Sequence, residues 1–195
     1  MAEPEGFHTL AIEEGPLVTG ELERWAKRKD AREQLAGFLN CYPESINMYN
    51  AVEEIEMLQQ CGDFGFWGVN QEGLGAAGLM LERILDTQPG PESAVAIRRL
   101  LQKNEMANTK ARDSGRIGDL YMISADDNDL AAAAAALKKD GSHLARSLFT
   151  SFVLSHEINR AWPADAAGIQ PEKRSVLPLS PTHSCQCAGI RLDAH

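Results

Sequence analysis

The chain of 195 residues carries a net charge of −9, with 44% hydrophobic and 24% charged side chains, a balance that belongs to a folded globular domain and not to a disordered one. No stretch reaches the roughly 18 consecutive apolar residues of a membrane span, and the acidic start Met1-Ala2-Glu3-Pro4-Glu5-Gly6 lacks the basic and apolar regions of a secretory signal, so the expected compartment is the cytoplasm and no membrane partner is expected. Residues 1–60 hold 12 acidic against 5 basic side chains, which disfavours direct nucleic-acid binding and suits a protein partner of opposite charge.

Residues 1–19 read as an irregular arm or one short strand, because the alternation in FHTLAIEEGPLVTG is broken at Gly15-Pro16. Helical spacing begins near Thr19 or Gly20 and carries Leu22, Trp25, Ala26, Leu35, Phe38 and Leu39 through one helix, with the mixed charges of Lys27–Glu33 on a solvated face. Pro43 breaks that helix, and Ser45 can cap a second one over about 46–60 with Ile46, Tyr49, Val52, Ile55 and Leu58 on its apolar stripe. After a run with six glycines in residues 62–78, a third helix spans about 71–86. Pro91 suits the first turn of a fourth, which uses Val95, Ile97, Leu100 and Leu101.

Residues 119–124, DLYMIS, form the best strand candidate, with the N-terminal arm as its pairing partner. The next helix has acidic residues at Asp126–Asp129, six alanines, Lys138-Lys139 and a stop at Gly141, the chemistry that caps and complements a helix at both ends. Residues 142–162 are apolar around much of their circumference, with Leu144, Leu148, Phe149, Phe152, Val153 and Ile158, and are expected to form the central helix. The fold class is therefore mainly α: a single helical domain of about six helices at 20–162, with at most a small two-stranded β element. Residues 163–195 lack periodicity and read as an extended or partly disordered tail.

Three patterns suggest chemistry. Gly73-Leu74-Gly75-Ala76-Ala77-Gly78 matches the G-x-G-x-x-G of dinucleotide sites, which need an apolar strand running into the first glycine. Here Asn70-Gln71-Glu72 intervene and Glu72 would repel phosphate, so the string reads as a small-residue helix face that allows close helix packing. His156-Glu157 begins an H-E-x-x-H zinc signature, but Arg160 stands at the second histidine position; His156 reads as a hydrogen-bonded core residue and Glu157 with Arg160 as a helix pair. His183, Cys185, Cys187 and His195 are four metal-type ligands within thirteen residues, a tentative zinc or copper(I) group. Cys41 and Cys61 read as reduced thiols.

The remaining feature is the glycine-flanked aromatic segment DFGFWGV, with Phe64, Phe66 and Trp67 as candidate partner-binding residues. No hydrolase elbow, phosphate loop or calcium loop is present. The expected function is a non-enzymatic interaction module, such as a regulator, inhibitor or adaptor, working through an acidic surface and this aromatic loop without a cofactor. The alternatives are a metal protein using the C-terminal His/Cys group and a nucleotide enzyme using the glycine string.

Overall fold

The computed structural model describes residues 6, 8–48, 52–61 and 63–161. Among these, eight α-helices and one two-stranded parallel sheet occur in the order β1 (Thr9–Ile12), α1 (Pro16–Ala26), α2 (Ala31–Cys41), α3 (Val52–Gln60), β2 (Gly65–Gly68), α4 (Ala77–Asp86), α5 (Pro91–Ser114), α6 (Tyr121–Ser124), α7 (Asp127–Asp140) and α8 (His143–Ala161). The mainly helical reading with one small β element stands. The arm at 1–19 contains β1 and the first turn of α1, and the tail at 163–195 lies outside the described residues.

Two apolar clusters share α4 as a wall. One joins β1, α1–α3 and β2 through Ile12, Leu22, Trp25, Leu35, Ile55 and Phe66. The other joins α4–α8 through Ile84, Ile97, Leu100, Met122, Leu137 and Phe152. Leu79 belongs to the first and Met80 and Leu81 to the second, which is why Ala77–Leu81 are buried on every side. The most enclosed helix is thus α4 and not α8, whose Leu144 and Leu154 are exposed.

The single helix expected from residue 20 to 39 is two helices. Arg28 closes the first by donating its backbone N–H to Trp25 O and grips Asp30 with its guanidinium. The reversal brings Trp25 edge-on to Phe38 at 4.8 Å between ring centroids, whereas an unbroken helix would hold residues 13 apart about 20 Å from each other. Among the described residues Ser45 caps no helix: it is buried, its hydroxyl donates to Tyr42 O at 2.6 Å, residues 46–48 are not helical, and the described part of α3 is Val52–Gln60. Residues 119–124 end a 3-10 turn and form α6, not a strand. Leu120, Tyr121 and Met122 are all buried, and three consecutive buried residues fit a helix lying in the core better than a strand covered on one face.

Two helices share an unusual start. Both α1 and α5 begin Gly-Pro, and neither N-cap glycine has a side chain to offer. The caps come from afar. Glu72 accepts the Leu17 N–H at 2.6 Å and the Val18 N–H at 3.4 Å. Asp140, at the end of α7, accepts the Glu92 N–H at 2.9 Å and the Ser93 N–H at 3.1 Å. A Cβ on Gly15 would overlap the Glu72 carboxyl, and one on Gly90 that of Asp140, so each glycine makes room for its borrowed cap. By contrast α7 is capped locally, Asp126 accepting from Asn128 and Asp129 N–H. Asp140→Ala should lower stability in urea unfolding by about 1–2 kcal/mol, the usual loss of an N-cap acceptor; Asp140→Asn, which keeps an acceptor, should cost less.

Candidate functional site

β1 and β2 pair in parallel, with Leu10 opposite Phe66 and Ala11 opposite Trp67. Alternation along β2 separates the aromatic candidates. Phe66 is buried among the residues of the first cluster and Phe64 is half-buried against it, while Trp67 is 71% exposed. Val69, two positions on, is also exposed and extends the Trp67 face. The structure therefore splits the three: Phe64 and Phe66 anchor the segment, and Trp67, with Val69 and Ala11, forms its outward surface.

The strand is held firmly from beneath. The Phe66 N–H donates to Glu23 Oε2 at 3.2 Å, and a Cβ on Gly68 would lie 2.6 Å from Thr19 Oγ1 and 2.7 Å from Gly15 C. Glycine at 68 lets β2 lie directly on α1. Charge along the first 82 residues is concentrated, and Lys27 of α1 pairs with the same Glu23 that accepts the Phe66 N–H. Among the first 82 residues, every Lys and Arg lies between Arg24 and Arg32. Arg24, Lys27, Arg28 and Arg32 are engaged by Glu21, Glu23, Asp30 and Glu56. Glu13 and Asp63, beside the two strands, are exposed and have no ion-pair partner among the described residues.

The glycine string does not present a phosphate cradle. Gly75 donates its N–H to Glu44 O at 2.9 Å, and Ala76 to Gly73 O at 3.0 Å. A Cβ on Gly73 would lie 2.9 Å from Ser45 O, and one on Gly75 would overlap Pro43 O and the Glu44 carbonyl carbon. The space beside these glycines is filled by the chain at 43–47. Close packing is their role, against a loop for Gly73 and Gly75, and against Asn104 of α5 for Gly78.

Glu72, just before the string, is the residue that sequence reasoning missed. It is 3% exposed; besides capping α1, its backbone N–H donates to Ser155 Oγ at 3.2 Å and its carbonyl accepts from Asn159 Nδ2 at 3.1 Å. Burial pushes its carboxyl up to about 7, against the pull of the Leu17 and Val18 N–H groups, and the Glu14 carboxylate adds to the rise. Glu14 is itself fully buried, accepting the Asn47 and Met48 N–H groups at 2.7 Å each, and burial raises its carboxyl too. These carboxylates hold backbone together and are closed to solvent.

The chain matches no family model, no curated protein and no solved structure.

His156 is a buried residue of α8, its Nδ1 2.9 Å from Met122 O and its Nε2 3.7 Å from Asp127 Oδ1. Arg160 pairs with Asp127 of α7 at 2.8 Å and not with Glu157. Among the described residues no group of three or more His, Cys, Asp or Glu side chains is placed to hold a metal; His183, Cys185, Cys187 and His195 lie outside them. Cys61 is a free, half-buried thiol, but Cys41 is disulfide-bonded, which corrects the expectation of a reduced thiol there. No helix among the described residues is long and apolar enough to cross a membrane. A second apolar surface, a groove of about 480 Å³ between α5 and α7, has Val95, Ala96, Leu100, Ala132, Ala133 and Ala136 on its walls. Its charged rim is balanced by Arg99 and Lys103 on Asp129 and by Lys139 on Glu92, so it carries no bias toward one kind of partner.

Proposed function

We propose that this chain is a non-enzymatic protein-interaction module, a regulator, inhibitor or adaptor, that engages a basic partner through the β1–β2 face. The observation that carries the reading is Trp67: a large aromatic, 71% exposed, on a strand fixed by buried neighbours. Aromatics on rigid elements bring large contact area at little entropic cost, and such anchors dominate interface energetics. Glu13 and Asp63, exposed and without an ion-pair partner among the described residues, favour a partner of opposite sign and would speed its association.

Trp67→Ala should leave stability within about 0.5 kcal/mol of the parent, as for other surface positions, while abolishing recovery of the partner that the parent chain retains from its native host. Undiminished recovery by the variant would move the interface elsewhere. We place the site of action in the cytoplasm, a reading supported by the free thiol of Cys61 and opposed by the disulfide at Cys41, a bond that reducing compartments do not maintain.

A further inference from the structure

The two edges of the small sheet differ. The Gly65 N–H donates to His8 O at 2.9 Å and the Val69 N–H to Ile12 O at 3.0 Å. In a parallel ladder the bonds run to alternate residues of the neighbour, so His8, Leu10 and Ile12 turn their polar backbone groups to β2, and Thr9 and Ala11 turn theirs away. At the far edge of β2 the outward Phe66 N–H is taken by Glu23 of α1. No hydrogen bond among the described residues reaches the backbone of Thr9 or Ala11. β1 reads TLAI; it has no Lys, Pro or bulge, and its shortness is the one feature of the kind that guards an open edge.

The surroundings select what would pair there. Glu13 and Asp63 are exposed and unpaired among the described residues, and no Lys or Arg occurs in residues 1–23 or 33–82. A strand laid beside β1 would set alternate side chains on the face of Ala11 and Trp67 and the others at the rim by Leu10, which is half-buried and packed on the core. Ala11 is small and lies directly opposite Trp67, so a long cationic side chain from the added strand can reach across it to the indole.

We propose that the open edge of β1 receives an extended segment of a partner protein, basic on one face and apolar on the other, as a third strand of the sheet. This rests on the interaction reading above and names the partner's chemistry. The probe is a capped eight-residue peptide of alternating Arg and Val, compared with its Glu/Val counterpart and with an Arg/Val peptide N-methylated at alternate residues. Amide exchange by NMR on the full chain should show Thr9 and Ala11 exchanging freely alone and slowing at least about tenfold with the Arg/Val peptide. The Glu/Val and N-methylated peptides should bind at least about tenfold more weakly, a factor equivalent to about 1.4 kcal/mol. Ala11→Pro should have the same effect, since it removes an outward N–H that the ladder does not use; if that variant fails to fold, the N-methylated peptide asks the same question of the unaltered chain.

Equal binding of the N-methylated peptide, no binding of the Arg/Val peptide, or Thr9 and Ala11 amides already protected in the free chain would each overturn the proposal. So would a dimer in sedimentation that Ala11→Pro dissolves, because the edge would then belong to a second copy. If Trp67→Ala loses the host partner and Ala11→Pro keeps it, strand addition falls and the interaction face stands. If Trp67→Ala keeps the partner while the peptide still protects Thr9 and Ala11, the face falls and the edge stands.

Discussion

Glu72→Gln should abolish most of the loss of stability that the parent protein shows between pH 5 and pH 8. The Glu72 carboxyl sits near 7 in the folded protein because burial disfavours its charge, and near its ordinary value of 4.5 once unfolded. Between those values the folded chain holds a proton that the unfolded chain has released. Stability from this group is therefore fully present below about 4.5, falls as pH rises through that window, and is flat above about 7. At roughly 1.4 kcal/mol per unit the fall amounts to about 3 kcal/mol. Urea unfolding at pH 5, 6, 7 and 8 measures it. Glutamine keeps an oxygen for the Leu17 N–H and removes the titration, leaving the smaller slope of Glu14, whose carboxyl is raised in the same direction. A variant with the parent's pH slope would show that Glu72 is not the titrating group. Below pH 4 the trend reverses, because Arg28, Lys110, Arg160 and Ser93 hold the carboxyls of Asp30, Asp119, Asp127 and Asp140 below their usual range; those contributions disappear as the carboxyls protonate. Maximum stability is expected near pH 5.

Gly75→Ala should destabilise by about 3 kcal/mol or more, at the upper end of what overpacking causes. The new methyl would overlap the Pro43 carbonyl oxygen and the Glu44 carbonyl carbon, and backbone cannot rotate aside as a side chain does. The 43–48 segment is also pinned, by the Gly75 N–H on Glu44 O and by Glu14 on Asn47 and Met48. Gly20→Ala is the control. Nothing lies within 4 Å of a Cβ at that position, and removing a glycine from the interior of α1 should add about 0.5–1 kcal/mol. Urea midpoints of the two variants should move in opposite directions. A Gly75→Ala protein as stable as its parent would mean that the chain at 43–47 does not lie against the string.

Local chemistry was legible and long-range pairing was not. The whole of α7, from the Asp126 cap to Gly141, follows from residues within one or two turns, and Pro91 marks where α5 starts although its cap comes from Asp140; the structure has both starts where the sequence puts them. The sheet joins Thr9–Ile12 to Gly65–Gly68, two four-residue strands far apart in sequence, too short for alternation to declare either one. The break between α1 and α2 depends on Arg28 folding back to Asp30, which looks like ordinary surface charge in the sequence. At the candidate site, the cluster of aromatics was visible, but which of them faces solvent is decided by the register of β2. Glu72 was seen only as a charge hostile to phosphate. Its signal lay elsewhere, in the Gly-Pro start of α1, a helix beginning with no Ser, Thr, Asp or Asn to cap it.

The borrowed caps of α1 and α5 also bear on biosynthesis. α1 leaves the ribosome 55 residues ahead of the carboxylate that Leu17 requires, and α5 leaves 48 residues ahead of the aspartate that serves Glu92. At about 5–20 residues per second, each helix waits several seconds with its first amides answered only by water. Neither can settle as an early, self-sufficient piece of the nascent chain, and the amino-terminal half completes its structure only as α4 is made.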